Sequence, residues 1–474
     1  MQEVLNRGDD LVLEKGKIYN IDTTLVLRIK GQHIYTNNVK GLRDYATLRV
    51  VGPELVTIIN AEGLAHIEIS HVRIDGNRDS MRPSAGKVAM QPFISLGKKG
   101  GDDQTVKNCI ITNARCSGGW AAIHVHENAF RCTIRDNIIF GAGTDVLGNG
   151  RSSLEYPFGW GDGISVAAAN STVKNNLIID VTDEGIMVQG APGTKVSGNV
   201  VVAFSREVLG GIALIDPAPW CLLDSLENTF DYRGIEVKNN IVHALGARVH
   251  IAYPCGLDVW NMNTNKRILQ GAELMHNTII GDIGGYGFAI SGVKDFKVIN
   301  NTANALFEEK GDGLPGKPPD DPAAFIYEAD NTFECELQKE FIPAQKHIVH
   351  LLRNKRTPLN EAGYRLLDHY GEKEMNAIIS IAFMEMLDRF PSAEEAIYWK
   401  NWMQETRSNA DALRSSLMVS PEFANRNQAW RKSQLQECRV QLFMEELYRA
   451  FDEKEDASWP EADHVHRSLF SRYE

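Results

Sequence analysis

From Val173 to Asn199 the chain reads VKNNLIIDVTDEGIMVQGAPGTKVSGN. An apolar residue followed by asparagine at a turn, Val173-Lys174-Asn175-Asn176, returns as Val196-Ser197-Gly198-Asn199, and a short Gly-Ile strand, Gly185-Ile186-Met187-Val188, lies between the two. The same two units recur outward in both directions. The strand returns as Ala122-Ile123-His124-Val125, Gly163-Ile164-Ser165-Val166, Gly211-Ile212-Ala213-Leu214 and Gly256-Leu257-Asp258-Val259. The asparagine turn returns at Asn108, Asn137, Asn240, Asn277 and Asn301. Neighbouring turns are 23 or 24 residues apart in the tightest cases and 29 to 41 apart where a loop intervenes. Strands this short cannot close a core alone, whereas stacked coils bury one continuous apolar column, so the repeat predicts a solenoid. Asparagine tolerates a left-handed turn, and its amide can bond to the coils above and below, so these residues are expected to form a ladder. His71, in the coil from Ile67 to Gly76, is placed in the same row.

The fold class expected is therefore mainly β, a right-handed parallel β-helix over residues 1–335, followed by an all-α domain over 336–474. Leu11–Leu13, Ile18–Ile21 and Leu25–Leu27 read as opening strands and N-terminal cover, which the bare edge of a first coil requires. The stretch from Gly311 to Pro322 is linker chemistry, with a last strand near Ala324–Tyr327. From about 336 the apolar period becomes helical, through Ile342, Ile348, Leu351 and Leu352 and then Ile378, Ile379, Ala382, Phe383, Met386 and Leu387.

Composition narrows the function. A hydrophobic content of 43% supports real cores, and a formal charge of −12 gives no basic footprint for nucleic acid or an anionic membrane. No apolar run is long enough to span a bilayer, and the N-terminus from Met1 to Arg7 carries no charged-then-apolar leader. The expectation is thus a protein that stays inside, or one that leaves without a cleaved leader or with its leader already removed. Cysteines 109, 116, 132, 221, 255, 335 and 438 are scattered without a C-x-x-C pair and read as buried thiols.

Alternation assigns the strand faces. With Ile123, Ile164, Ile186, Ile212 and Leu257 in the core, the outward row is His124 and His126, Ser165, Met187 and Gln189, Ala213 and Ile215, then Asp258 and Trp260. Such a row makes a shallow track for an extended polymer. At its start, Asp162 precedes Gly163-Ile164, and Asp183-Glu184 precede Gly185-Ile186 one coil later, which places three carboxylates at one end of neighbouring strands. Two carboxyl groups on adjacent coils can span a glycosidic bond, one as acid and the other as base or nucleophile. Mutual repulsion raises one pKa, as a general acid requires. Asp before Gly is also ordinary turn chemistry.

Trp160-Gly161-Asp162-Gly163-Ile164-Ser165-Val166 and Thr182-Asp183-Glu184-Gly185-Ile186-Met187-Val188 resemble polygalacturonase-type glycoside hydrolases, within the pectate-lyase-like superfamily of right-handed β-helices. That family pairs an Asn-Thr-Asp-Gly segment with an Asp-Asp pair about one coil later. The resemblance implies Asp162 and Asp183 as working carboxylates, with Glu184 in place of the second paired aspartate. It covers about 30 residues closely. The family's His-Gly of the next coil is matched here by Gly210-Gly211, and its later Arg-x-Lys by Asp258-Val259-Trp260. The same mode of uronate recognition is therefore not expected, although Arg151, Arg206 or Arg248 could meet an acidic sugar differently.

Trp120, Trp160, Trp220 and Trp260 flank strands or loops, where an indole face suits a sugar ring. Insertions at about 141–161, 215–232 and 260–271 could wall a cleft. The candidate site is then catalytic Asp162, Asp183 and Glu184, with substrate bound by Trp160, His124, His126, Gln189, Asp216, Asp258 and Trp260. No cofactor is expected and no metal, since His124 and His126 lack an evident third ligand. In the C-terminal third, Phe383–Leu387, a stop at Pro391, a Ser392 cap with Glu395 three residues on, and Ser420-Pro421-Glu422 read as capped helices. This pattern resembles a small helical domain recurring in bacterial surface and exopolysaccharide-associated proteins, which implies attachment or partner binding. The sequence thus points first to an enzyme that cleaves glycosidic bonds in a bacterial exopolysaccharide. A uronate lyase or C5-epimerase relying on the histidines, and a non-catalytic glycan-binding surface protein, stand as alternatives.

Overall fold

The computed structural model describes residues 1–77, 91–116, 118–143, 160–204, 206–215, 229–256, 259, 268–307, 322–345 and 391–406, with isolated positions between 379 and 422. The chain divides near residue 360 into two compact units.

The first unit is mainly β and its parallel ladders form the β-helix expected from the repeat. Its coils stack three parallel ladders. The first joins the short strands before each asparagine turn and has Ile34, Ile69, Val106, Ile134, Val173 and Val196 in register, all buried. The second follows the turn and stacks Ile74, Ile111, Ile139, Ile178, Val201 and Val242. The third carries the Gly-Ile strands, with Ile94, Ile123, Ile164, Ile186 and Ile212 in register. These three inward rows meet in one continuous apolar core, where identical branched residues stacked coil on coil pack well against each other. In the later coils Ile241–Cys255 and Thr278–Ile290 run through both the second and the third ladders, and the core there becomes an aromatic stack of Tyr253, Phe288 and Phe325 with rings nearly parallel.

The glycine of each Gly-Ile unit is dictated by space. A Cβ on Gly185 would lie 2.5 Å from Val201 Cγ1 and 2.6 Å from the Gly211 carbonyl, and one on Gly211 would lie 2.4 Å from the Ala252 carbonyl. The third ladder thus presses directly on the second where the chain turns inward.

The asparagine turn divides between two consecutive positions what the sequence reading gave to one. Asn137, Asn176, Asn199, Asn240, Asn277 and Asn301 form the ladder, each side-chain Nδ2 donating to the next Oδ1 at 2.9–3.0 Å. Gln338 continues it by accepting from Asn301 N–H. The left-handed conformation belongs to the residue before, at His71, Asn108, Asp136, Asn175, Asn239, His276 and Asn300. Asn108 and His71 therefore sit in the left-handed row and not in the ladder, where Cys109 donates its N–H to Asn137.

Three further differences follow from local geometry. The N-terminal cover includes a helix, Gln2–Asn6, whose Gln2 amide exchanges both hydrogen bonds with Val26 and so satisfies the edge as a strand would. The coil after Gly211–Leu214 is supplied by Ile251–Cys255, since Leu214 pairs with Cys255, so the unit read at 256–259 is four residues too late. Past residue 335, Glu336 and Leu337 pair with Lys297 and Val298, and Ile342 pairs with Ile326. The solenoid thus extends beyond 335, through strands too short to leave a period in the sequence.

In the second unit, helix Ala393–Thr406 begins with the expected capping box. Ser392 N–H donates to Glu395 Oε2 at 2.7 Å, and Glu395 N–H donates to Ser392 Oγ at 3.2 Å. Ile379, Ala382, Phe383, Leu387, Met403, Leu413 and Leu417 form its buried cluster. Among the described cysteines, Cys109, Cys116, Cys132 and Cys255 are buried, and burial pushes the Cys132 thiol up to about 11.

Candidate active site

Two strand starts on adjacent coils build the site. Asp162 lies on Gly161–Val166, and Asp183 and Glu184 open Glu184–Val188. The starts are latched together: Gly161 N–H donates to Thr182 Oγ1 at 3.1 Å, and Asp183 N–H donates to the Gly161 carbonyl at 3.3 Å. Asp162 accepts from the Glu184 N–H at 3.1 Å through Oδ1 and from the Ser165 hydroxyl at 2.6 Å through Oδ2. Ser165 was expected only as an outward residue; its place three positions after Asp162 lets it hold that carboxylate. Glu184 faces Gly210 on the next coil, where a Cβ would meet Glu184 Cγ at 2.9 Å. The glycine that replaces the expected histidine segment is thus the space that Glu184 occupies.

One oxygen each from Asp162, Asp183 and Glu184 lie within 4.8 Å of one another. That spacing would let the three bridge a cation or share protons. The carboxyl groups are more enclosed than an open track predicts, with Asp162 at 1%, Glu184 at 4% and Asp183 at 9% exposure. Burial drives Glu184 well above the usual carboxylate range, and the nearby charges of Asp183 and Asp162 drive it further. Burial and then the Asp183 charge do the same to Asp162, against the hydrogen bonds from Ser165 and Glu184. Asp183 is raised by burial, and its hydrogen bond to Glu184 pulls the other way. The three titrate as one group, and burial raises all of them, so the cluster holds protons more tightly than free carboxyl groups do.

The outward row runs in register as expected from His124 to Ser165, Met187 and Ala213. One coil before His124 it contains Ser95, which the sequence reading passed over although Phe93-Ile94-Ser95-Leu96 repeats the strand pattern. Ser95 Oγ lies 3.1 Å from His126 Nε2 and donates to Glu62 Oε1 at 2.5 Å, while Lys98 holds the other Glu62 oxygen at 2.5 Å. His124 and His126 meet edge to face at 4.3 Å, with Trp120 5.0 Å from His124. Burial, then the neighbouring His126 and Lys98, hold His124 neutral, well below the usual histidine range. Its Nδ1 is buried without a partner among the described residues.

The remaining expected residues divide. Trp160 is half-buried against an apolar cluster of Met187, Leu209, Ala213, Ile215, Ile251 and Tyr286 outside the main core. Gln189 is half-buried at the end of its strand. Asp216, Asp258 and Trp260, with Arg151 and Trp220, lie outside the described residues. Arg206 is committed to the carbonyls of Ala142, Asp180 and Gly143 at 3.0–3.1 Å, so it caps turns and does not face a sugar.

No family model and no curated protein matches the chain. Among solved structures it is similar to the Agl-KA catalytic domain, at 10% identity and TM-score 0.34, over 74% of this chain and 63% of that one. It is also similar to the A-module of the mannuronan C-5 epimerase AlgE4 of Azotobacter vinelandii, at 14% identity and TM-score 0.30, over 65% of this chain and 92% of that one. A third is the catalytic domain of a GH87 α-1,3-glucanase, at 11% identity and TM-score 0.32, over 70% and 64%. The chain thus spans less than two thirds of the length of two of these.

Proposed function

We propose that this protein is a polysaccharide-active enzyme that cleaves glycosidic bonds with Asp162, Asp183 and Glu184. The observation that carries the reading is three carboxyl groups gathered from two coils into one enclosed cluster, where burial raises all three. Glu184 is the general acid, because burial and two neighbouring charges keep its proton on at neutral pH, where it can pass to the leaving oxygen. Asp183, the most exposed of the three, is assigned the role of base or nucleophile at the anomeric carbon, directly or through water. Asp162, fixed by Ser165 and the Glu184 amide, orients Glu184 and shares its proton.

A second reading is favoured by the neutral, unpartnered His124, which could take a proton from a uronate in elimination or epimerisation. The C-terminal unit is read as a helical attachment module whose capped helix leaves Ile397 and Tyr398 exposed. Bacterial exopolysaccharide is the substrate class that its sequence resemblance implies.

The test is product analysis on α-1,3-glucan, alginate and polygalacturonate. New reducing ends without ultraviolet absorbance support hydrolysis, an unsaturated product supports elimination, and altered sugars at constant length support epimerisation. Asp162→Asn, Asp183→Asn and Glu184→Gln should each lower hydrolysis by on the order of 10² to 10⁴. Full activity in all three ends the carboxylate reading.

A further inference from the structure

We propose a second binding site, for a carboxylate-bearing glycan, on the outward face of the first ladder. It crosses the strands Thr105–Lys107, Thr133–Arg135, Thr172–Lys174 and Lys195–Ser197. The site is separate from the carboxylate cluster and does not depend on which bond that cluster acts on. In each of these strands the middle residue, Val106, Ile134, Val173 or Val196, is buried in the core, so its two neighbours point outward. Register then sets two outward rows. Thr105, Thr133, Thr172 and Lys195 stack in one, and Lys107, Arg135, Lys174 and Ser197 in the other. Each coil therefore offers a hydroxyl and a cation side by side, repeated at about the 4.8 Å spacing of paired strands.

Three cations stacked directly on one another repel, and elsewhere this face avoids that arrangement. On later coils Glu236 binds both Lys195 and Lys238, Lys238 also reaches Glu273 at 3.2 Å, and Lys297 reaches Glu336 at 3.1 Å. At the turn before the strands, Asp103 holds Arg131 at 2.8 Å. Within the stacked row, Lys107 meets Glu68 at the outer end, at 2.8 Å, and Arg135 meets Asp136 at the turn, while Lys174 has no ion pair among the described residues. The positive field reaches the neighbouring coil: burial first, then Lys107 and Arg135 against Glu68, hold His71 below the usual histidine range. The row is open to solvent, with Lys174 exposed and the side chains of Lys107, Arg135 and Lys195 at 23%, 41% and 46% exposure. A uronate polymer fits it, since a carboxylate on each repeat can meet a cation while a sugar hydroxyl bonds to the threonine beside it. Single-stranded nucleic acid uses aromatic faces for its bases, and these four strands carry none. Thr172–Lys174 follows the Asp162 strand, Gly161–Val166, within one coil. A polymer held there stays beside the cluster without entering it, which raises its local concentration.

The experiment is affinity electrophoresis of the full chain through gels carrying polygalacturonate, alginate or neutral dextran. Retardation by a polyuronate and not by dextran, weakening as salt is added, is the expected result. Lys174→Glu should weaken that binding by about 5- to 10-fold, through one ion pair lost and one repulsion gained. Lys339→Glu makes the same charge change at a side chain 92% exposed after the strand Glu336–Leu337, and should leave binding unmoved. Thr133→Val keeps both the charge and the branched shape, and should weaken binding by about 2- to 10-fold, the loss of one hydrogen bond. It is the second variant if circular dichroism shows that Lys174→Glu does not fold. No retardation by either polyuronate, or equal losses in Lys174→Glu and Lys339→Glu, overturns the proposal. Retardation by single-stranded DNA as strong as by polyuronate, and equally reduced by Lys174→Glu, marks a general polyanion surface and overturns the glycan assignment. Because the readout is binding, failure of the hydrolytic reading leaves each of these outcomes intact.

Discussion

Asn199 is the most exacting place to test what holds the coils together. It is fully buried. Its Oδ1 accepts from both the N–H and the Nδ2 of Asn176, at 3.0 and 2.9 Å. Its Nδ2 donates to the Val173 carbonyl at 2.9 Å and to Asn240 Oδ1 at 3.0 Å. Asn199→Leu is similar in size but removes these side-chain bonds, leaving Asn176 N–H and the Val173 carbonyl facing an apolar group, while Asn176 Nδ2 keeps the Ile134 carbonyl and Asn240 Oδ1 keeps the Asn199 N–H. At about 1–3 kcal/mol for each of these two buried groups, with some relieved by relaxation, the expected loss is on the order of 3 kcal/mol. That is a large fraction of the ~5–15 kcal/mol typical of a folded domain, and it falls in the middle of the solenoid, where one failed coil uncouples both sides. Denaturant melting of the soluble variant, or its failure to accumulate as folded protein, is the measurement. Asn108→Gly, in the left-handed row, is the control and should change stability by well under 1 kcal/mol, since glycine adopts that conformation freely. If Asn199→Leu loses less than about 1 kcal/mol, the ladder is not what joins the coils.

Glu184→Gln should stabilise the fold increasingly as pH rises. A folded pKa above the unfolded value means that the wild-type group favours folding below the ordinary carboxylate range and loses that contribution as pH rises toward its folded pKa. Melting temperatures of variant and wild type should therefore be close at pH 4 and diverge by pH 8; an equal difference at both would refute the raised pKa. Gly210→Ala places a methyl 2.9 Å from Glu184 Cγ, so it should displace that carboxyl and lower turnover by on the order of 10², a smaller effect than losing the carboxylate itself; unchanged kinetics would remove Glu184 from the mechanism. Ser392→Ala breaks the capping box and should cost the C-terminal helix about 1 kcal/mol, read from its thermal unfolding.

Much of this molecule is legible in one dimension because its repeat is local. Apolar alternation, the Gly-Ile starts and the asparagine turns each reflect a constraint met within a few residues, and the capping box at Ser392 is of the same kind. These were enough to imply a coil, to place Ile123, Ile164, Ile186 and Ile212 inward, and to bring Asp162 beside Asp183 and Glu184. The sequence could not decide which of two consecutive asparagines bonds across coils, because both residue types suit the turn and only stacking separates the roles. Nor could it show that Ile251–Cys255, and not 256–259, continues the row, since an insertion of unknown path shifts register by an amount no local pattern records. The enclosure of the carboxylates, the change from polar to apolar along the outward row, and the pairing of His126 with Ser95 and Glu62 join residues from different coils. Those properties are set by how coils of unequal length stack, and that is decided only when the chain has closed around its core.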